Sequence, residues 1–450
     1  MAPRNLTRRQ VLATASAGAV VSMSRTIPAY GNLVKKAGKP AILGGPPVRQ
    51  NKGWPDWPHW DQEVVDAVVK TTKSRIWCRI QSPSGTVPTF EKRFAEMMGT
   101  KHCVATGSGT QALHTCVEAL GIGPGDEVIT SPYTDPGTIA AILSARALPV
   151  LADLDRRSYQ LDPADVQRRI TANTRAIMPV HMMGQPCDMQ SIMRIAKQHR
   201  LPVIEDACQA HLAEYQGKVI GTIGDCGCYS FQSSKTIACG EGGGIIGNDD
   251  DLMDKCYTVH NHGTSRRGLT EVIGPKYRMN EFEAAVLLAQ LPGVRERFAR
   301  RNANAAYLTQ RLKDIPVIVP QKLYEGTTAG SFYLYATTYH KEHFNDADRA
   351  VFLKALAAEG VSLSPYIARG LHREPWVDHV LESPVYKKMY APERLRQYRE
   401  QLPCPMCDAV CDEMAMLWAS GPLLAAKDDM DDIADAIEKV YENRDLLRSL

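Results

Sequence analysis

The chain has 450 residues, 44% of them hydrophobic, enough to bury a large core and to form two domains. Its net charge is +3, but residues 1–30 hold four arginines and no acid, which leaves the remainder at +3 less four, or −1. That balance gives no electrostatic case for a nucleic-acid partner, and no apolar run reaches the roughly 18 residues expected of a membrane span.

At the N-terminus, Thr7-Arg8-Arg9-Gln10-Val11-Leu12 is a twin-arginine pattern, followed by an uncharged, small-residue run from Val11 to Met23 and a possible cleavage region near Ala29. It reads as a twin-arginine export signal over residues 1–30, with a periplasmic or exported destination. The alternative is a basic start to the first helix of a cytoplasmic chain.

An extended arm and helices are expected over residues 31–100. Trp54-Pro-Asp-Trp-Pro-His-Trp60 forms a Pro-rich lead-in whose tryptophans read as packing anchors. Val64, Val65, Val68 and Val69 have helical spacing from Asp61 to Lys73, with Asp61 as N-cap, and a second helix is expected over Thr89 to Met98.

From Cys103 onward, short apolar runs alternate with helical stretches. Strands are expected at Cys103–Ala105, Glu127–Thr130, Pro149–Leu154, Ala176–Val180 and Pro202–Glu205, with helices near 110–120, 137–146, 163–170 and 188–199. This is an α/β pattern, a mostly parallel sheet with helices on both faces, occupying residues 101–290. In its first strand-to-helix turn, Gly107-Ser108-Gly109-Thr110 leaves backbone N–H groups free at a helix N-terminus, where a phosphate binds well.

Leu201-Pro-Val-Ile-Glu-Asp206 is an apolar run closed by acids, so Asp206 ends a buried strand, where open α/β sheets place their ligands. Lys235 follows an alternating segment and precedes the glycine cluster Gly240-Glu-Gly-Gly-Gly244. A desolvated lysine there can attack a carbonyl as the neutral amine. Pyridoxal 5'-phosphate (PLP) needs such a lysine and an acid on its ring nitrogen. As isolated residues, a strand-end aspartate and a surface lysine are the plainer reading.

A long helix is expected from Arg278 to about Asp314, linking the domains over residues 291–314. Residues 315–450 read as a smaller α+β domain with a strand at Tyr333–Thr338, a helix at Asp346–Ala358, a loop-rich stretch to about Cys411 and a final helix carrying Ile433, Ile437 and Val440 on one face. Of twelve cysteines, Cys103, Cys116, Cys208, Cys228 and Cys256 fit core positions. Cys404-Pro-Met-Cys407 with Cys411 is metal-like but lacks a second half, and a loop disulfide or free thiols is preferred to a metal site.

The segment from about Phe90 to Leu291 resembles the DegT/DnrJ/StrS family of PLP-dependent sugar and cyclitol aminotransferases. The likeness rests on Thr106-Gly-Ser-Gly-Thr-Gln-Ala-Leu113, Leu120-Gly-Ile-Gly-Pro-Gly-Asp-Glu-Val128, Val180-His181, Ile204-Glu-Asp-Ala-Cys-Gln209, Ser230-Phe-Gln-Ser-Ser-Lys235 and Gly240-Glu-Gly-Gly243. The resemblance implies a fold type I transferase, a homodimer, and amino transfer from glutamine or glutamate to a keto-sugar or keto-cyclitol. Lys235 would carry PLP as a Schiff base, Asp206 would hold the ring nitrogen, Gln209 would contact the ring from its hydroxyl side, and Gly109, Thr110 and Ser230 would bind the phosphate. His181 is either catalytic or structural, and Tyr366 and His372 fall on substrate-facing loops.

Two positions depart from the family. Asp135 stands where an aromatic usually stacks on the pyridine ring; an acid cannot stack, so either another side chain covers the ring or Asp135 meets a polyol or amine. Lys276 replaces the asparagine that reaches a partner subunit's phosphate, and can neutralise it as a point charge. PLP-dependent sugar dehydration or elimination, or a non-catalytic exported PLP- or ligand-binding protein, are the alternative functions.

Overall fold

Every strand of the main sheet sends alternate side chains to opposite faces, and each face has its own core. Cys103 and Ala105 belong to one apolar cluster and Val104 to another; Ile129, Ile177 and Val203 join the first, Val128, Ala176 and Ile204 the second. Period-two alternation with both faces buried is the signature of a sheet covered by helices on each side. These features come from a computed structural model that describes residues 38–448. The twin-arginine segment lies outside the described residues.

The seven strands are β1 (His102–Thr106), β2 (Glu127–Thr130), β3 (Leu148–Leu151), β4 (Thr174–Ile177), β5 (Ile204–Asp206), β6 (Cys226–Ser230) and β7 (Gly243–Gly247). They pair in the orders β3-β2-β4 and β5-β6-β7-β1. Parallel bridges from Ile177 to Val203 and from Val180 to Asp206 join the two blocks. Strand β7 runs antiparallel to both neighbours, and the other pairs are parallel.

Helix α1 (Gln62–Ser74) has Asp61 as N-cap, its side chain accepting from the Val64 N–H, and α2 (Thr86–Met98) starts three residues before the expected Thr89. Helices α3 (Gly109–Ala119) and α4 (Pro136–Ser144) contribute Ala112, Leu113, Cys116, Ala141 and Ile142 to one face. Helix α2 and α5 (Met189–His199) pack on the other, through Phe90, Phe94, Ile192 and Ile195.

The helix expected from Arg278 is two helices. Asn280 caps α6 (Glu281–Gln290), and a turn at Leu291–Gly293 separates it from α7 (Val294–Leu312). The break falls at Pro292, which lacks an N–H for the helical ladder. Helix α7 then covers a second, antiparallel sheet of β8 (Ile318–Pro320), β9 (Leu334–Tyr339) and β10 (Met414–Trp418), together with α8 (Arg349–Ala358) and, at the C-terminus, Lys427–Glu442.

Residues 371–413 are not loop-rich. Four short helices, at Trp376–Glu382, Pro384–Met389, Pro392–Glu400 and Pro405–Glu413, occupy them. The first three lay Val377, Val380, Leu381, Tyr386, Leu395 and Tyr398 against the main sheet's core, although they come from the C-terminal part of the chain. Cys404, Cys407 and Cys411 are buried free thiols packed with Tyr133 and Met414.

Among the described residues, 39–448 form one compact unit. The lead-in arm is fastened to its C-terminal part by a buried acid. Glu359, 0% exposed, accepts from the Ala41 and Val48 N–H groups at 2.8 and 3.0 Å and from Lys439 Nζ at 2.8 Å. Removing one partner of a buried pair costs about 3 kcal/mol or more, because the remaining charge stays desolvated. Glu359→Ala is therefore expected to lower the unfolding free energy by an amount of that order in denaturant titrations, and an unchanged midpoint would contradict the role.

Candidate active site

Strand β5 ends on Asp206, and the turn after β6 carries Gln232 to Lys235 past the same sheet edge, so two chemically active side chains reach one cavity of about 430 Å³. The Asp206 carboxylate is 3% exposed. Thr138 Oγ1–H donates to its Oδ2 at 2.7 Å, and the Cys208 N–H donates to Oδ1 at 3.2 Å. Burial pushes its pKa up, while these hydrogen bonds and the Lys235 charge pull it down. The Thr138 hydroxyl lies 2.8 Å from that of Thr134, one turn earlier.

Lys235 is 9% exposed, with Nζ 4.3 Å from the centre of the Tyr333 ring. The Ser234-Lys235 segment is held at three points. Trp57 Nε1–H donates to the Lys235 carbonyl at 3.0 Å, Ser420 Oγ–H to the Ser234 carbonyl at 2.9 Å, and the Ser234 and Tyr333 hydroxyls are 2.8 Å apart. Of the lead-in tryptophans, Trp57 thus anchors the site and Trp54 packs under Arg49, whereas Trp60 is 69% exposed.

Opposite Asp206, helix α3 opens on the cavity. Ser108 caps it by accepting from the Gln111 N–H at 3.2 Å. Gly109 and Thr110, its first two residues, have no intrahelical acceptor for their N–H groups, which makes an anion cradle. The cradle is tight: a Cβ on Gly109 would come within 2.8 Å of both Cys208 Sγ and Ser230 Cβ. Cys208 is accordingly only half-buried and lines the cavity, contrary to the core position expected for it.

Gln209 accepts from the Met183 N–H at 2.7 Å and donates Nε2–H to the Tyr366 hydroxyl at 3.0 Å. Asp135 caps α4, its Oδ1 accepting from the Gly137 N–H at 2.8 Å, and remains exposed to the cavity. The cavity thus gathers Gly109, Thr110, Asp135, Asp206, Gln209, Ser230, Lys235 and Tyr366.

Three expected site residues lie elsewhere. His181, for which the sequence leaves a catalytic and a structural role both open, is fully buried off the cavity: its Nδ1 accepts from the Cys187 N–H at 3.1 Å and its Nε2 bonds Glu205 at 3.2 Å. Both ring nitrogens are engaged, and Glu205 also accepts from Gly221, Ile223 and Gly224, so the pair is an internal staple. His372 bonds Asp408 at 3.1 Å and does not line the cavity. Lys276 is exposed and likewise outside it.

Thr138, Tyr333 and Trp418 line the cavity without having been singled out. Thr138 carried a signal, since it lies one helical turn beyond Thr134. Tyr333 and Trp418 come from the second sheet, and nothing in their spacing pointed to Lys235.

Residues 58–415 match the DegT/DnrJ/EryC1/StrS aminotransferase family. The chain belongs to this family. It is an aminotransferase, and the family implies PLP chemistry. A curated relative, the L-glutamine:2-deoxy-scyllo-inosose aminotransferase of Streptoalloteichus tenebrarius, is 33% identical over 91% of this chain and 99% of its own length. The GDP-perosamine synthase of Caulobacter vibrioides is 38% identical over 67% of this chain and 81% of its own. Among solved structures, an aminotransferase from Psychrobacter cryohalolentis superposes with a TM-score of 0.75 at 27% identity, covering 87% of this chain and 99% of that one.

Two buried histidines near these elements set an acid limit. His211, behind Lys235, has its Nδ1 3.1 Å from Thr236 Oγ1, and burial with the neighbouring Lys235 charge lowers its pKa to about 3. His260, beside Arg79, is lowered to about 3, again chiefly by burial. Both folded values lie below the ordinary value of about 6.5, so the unfolded chain takes up protons first. Their contribution is complete above about pH 6.5 and is lost at about 1.4 kcal/mol per pH unit for each as pH falls. Unfolding free energies at pH 7.5 and 5.5 should show this loss, and His211→Gln should flatten the slope by about one proton.

Proposed function

We propose that this aminotransferase moves the amino group of L-glutamine onto the ketone carbon of a polyhydroxylated ring, a keto-cyclitol or keto-sugar, with PLP as its cofactor. The observation that carries the reading is the meeting of Asp206, Lys235 and the N-terminus of α3 on one cavity. The relatives named above support the donor and the acceptor class.

The residues present fit PLP. A buried carboxylate at the cavity floor suits a protonated pyridine nitrogen, and Thr138 and the Cys208 N–H keep that carboxylate aimed. Gly109, Thr110 and Ser230 form a close-fitting place for a phosphate, and Gln209 is held by Met183 and Tyr366 to contact the ring edge. Lys235 is the attachment point. Bound there, PLP supplies an electron sink that lets an amino group pass between carbon skeletons.

The chain's own part is then positional and protonic. Lys235 Nζ, beside the Tyr333 ring face, takes the proton from the donor's α-carbon and returns a proton when the acceptor is aminated. Hydrogen bonds from Trp57 and Ser420 to the Lys235 segment hold that amine at a fixed depth, as proton transfer over one hydrogen-bond length requires.

The reading extends to assembly and destination. Lys276 is exposed and outside this subunit's cavity, and Ile273 on the same segment is 93% exposed, which supports a homodimer in which the segment meets a partner's site. The twin-arginine pattern at Arg8-Arg9 supports export of the folded enzyme.

The test is the visible absorbance of the PLP-loaded protein. The wild type is expected to show a band that L-glutamine shifts, and Lys235→Ala is expected to lose the band and to lower turnover by roughly 10³-fold or more. Transamination retained in Lys235→Ala overturns the assignment.

A further inference from the structure

Helix α7 carries a buried cation that no acid neutralises. Arg301 is 2% exposed and forms no ion pair among the described residues. Burial, with the charge of Arg297 one turn earlier, lowers its pKa to about 9, which leaves it charged at neutral pH. A buried guanidinium is costly unless its charge and N–H groups find partners, and a like charge four residues away on the same helix adds to that cost. Its Nε has no hydrogen-bond partner, so the side chain is placed by its remaining contacts.

Two of those contacts lead to Lys235. Arg301 Nη2–H donates to the Ser420 carbonyl at 2.9 Å, and the guanidinium carbon stands 4.8 Å from the centre of the Trp57 ring. Ser420 Oγ–H in turn donates to the Ser234 carbonyl, and Trp57 Nε1–H to the Lys235 carbonyl. A cation on the face of an indole draws on its π electrons and strengthens the ring N–H as a donor. The same guanidinium fixes the peptide group of Ser420, from which the hydroxyl reaches the catalytic segment.

The two anchors also meet each other. A Cβ on Gly421 would come within 2.3 Å of the Pro55 carbonyl oxygen, so the loop after β10 lies directly on the lead-in arm. Helix α7 grips that loop elsewhere too: Arg300 donates to the Leu424 carbonyl at 3.3 Å, and Asn304 Nδ2 donates to the Leu423 and Ala425 carbonyls at 2.9 and 3.0 Å. Arg301 adds to this grip a contact with the arm, which makes it the junction of three separate pieces of chain.

We propose that Arg301 is a positioning residue for Lys235: it holds Trp57 and Ser420 in the places from which they fix the Ser234-Lys235 backbone, and so sets where the lysine amine stands in the cavity. The proposal rests on the reading of Lys235 as the reacting amine.

Hydrogen exchange of the cofactor-free protein tests it without turnover. The Lys235 N–H donates to the Gln232 carbonyl at 2.8 Å and is protected while the segment is held. Arg301→Met keeps the bulk and removes the charge, and is expected to speed exchange over residues 232–236 roughly tenfold while the strands β1 to β5 keep the wild-type rate. Trp57→Phe combined with Ser420→Ala should do the same, and adding Arg301→Met to that pair should bring less than about a threefold further change, because both anchors are already gone. In the PLP-loaded protein, Arg301→Met is expected to shift the visible band and to slow the glutamine half-reaction roughly tenfold, with the half-saturating glutamine concentration within about twofold of wild type. Should the methionine variant not fold, Arg301→Lys is measured in the same way, since it keeps the charge but not the flat fork that suits both Trp57 and Ser420. Unchanged exchange at 232–236, a rise spread evenly over the molecule, or effects that simply add in the combined variant overturn the role. A wild-type protein with no PLP band fails the aminotransferase reading instead, and the exchange rates still decide whether Arg301 holds the segment.

Discussion

Asp206 is a carboxylate taken out of water and then aimed back at a cavity. Desolvating an acid costs several kcal/mol unless hydrogen bonds replace the lost water, and Thr138 and the Cys208 N–H make that replacement. The parallel strand β5 sets the depth of the carboxylate, and α4 supplies the threonine. The His181–Glu205 staple sits one residue back on the same strand, so the strand end is fixed from behind as well. A sheet that shifted by one residue would turn Asp206 into the opposite core, and the cavity would lose its acid.

Lys235 depends on a different part of the chain. Its carbonyl is held by Trp57, the preceding residue by Ser420 and Tyr333, and its amine lies over the Tyr333 ring. The lead-in arm and the second sheet therefore contribute to the placement of a residue that belongs to neither. This arrangement also explains the fastening of the arm by Glu359, Lys439 and Arg49, since a loose arm would release Trp57 from the catalytic segment.

The same division separates what pattern reading reached from what it did not. Alternating apolar runs and helical stretches identified β1, β2, β4 and β5 to within a few residues, because parallel strands buried on both faces are short apolar runs. Gly109 and Asp206 were legible because they punctuate those runs at fixed places. The helices between 376 and 413 were hidden by their length, since six to nine residues with prolines at their starts carry too little periodicity to stand out from loop. His181 was ambiguous for a physical reason: a histidine closing a buried strand can face the cavity or the core, and only the position of Glu205 and the Cys187 N–H decides between them.

The sequence by itself determined the α/β pattern, the strand that ends on Asp206, the helix that opens on Gly109 and the lysine that follows the sixth strand. These are local properties, fixed by periodicity, capping and turn chemistry within a few tens of residues. Only the tertiary structure decided which distant groups complete the site. Thr138 reached Asp206, Trp57 and Ser420 reached the Lys235 segment, and Trp418 reached the cavity wall, each across 68 or more positions in the chain. His181, His372 and Lys276 were kept off the cavity by the same packing. Such contacts are set by how sheets and helices are stacked, and no local pattern encodes that.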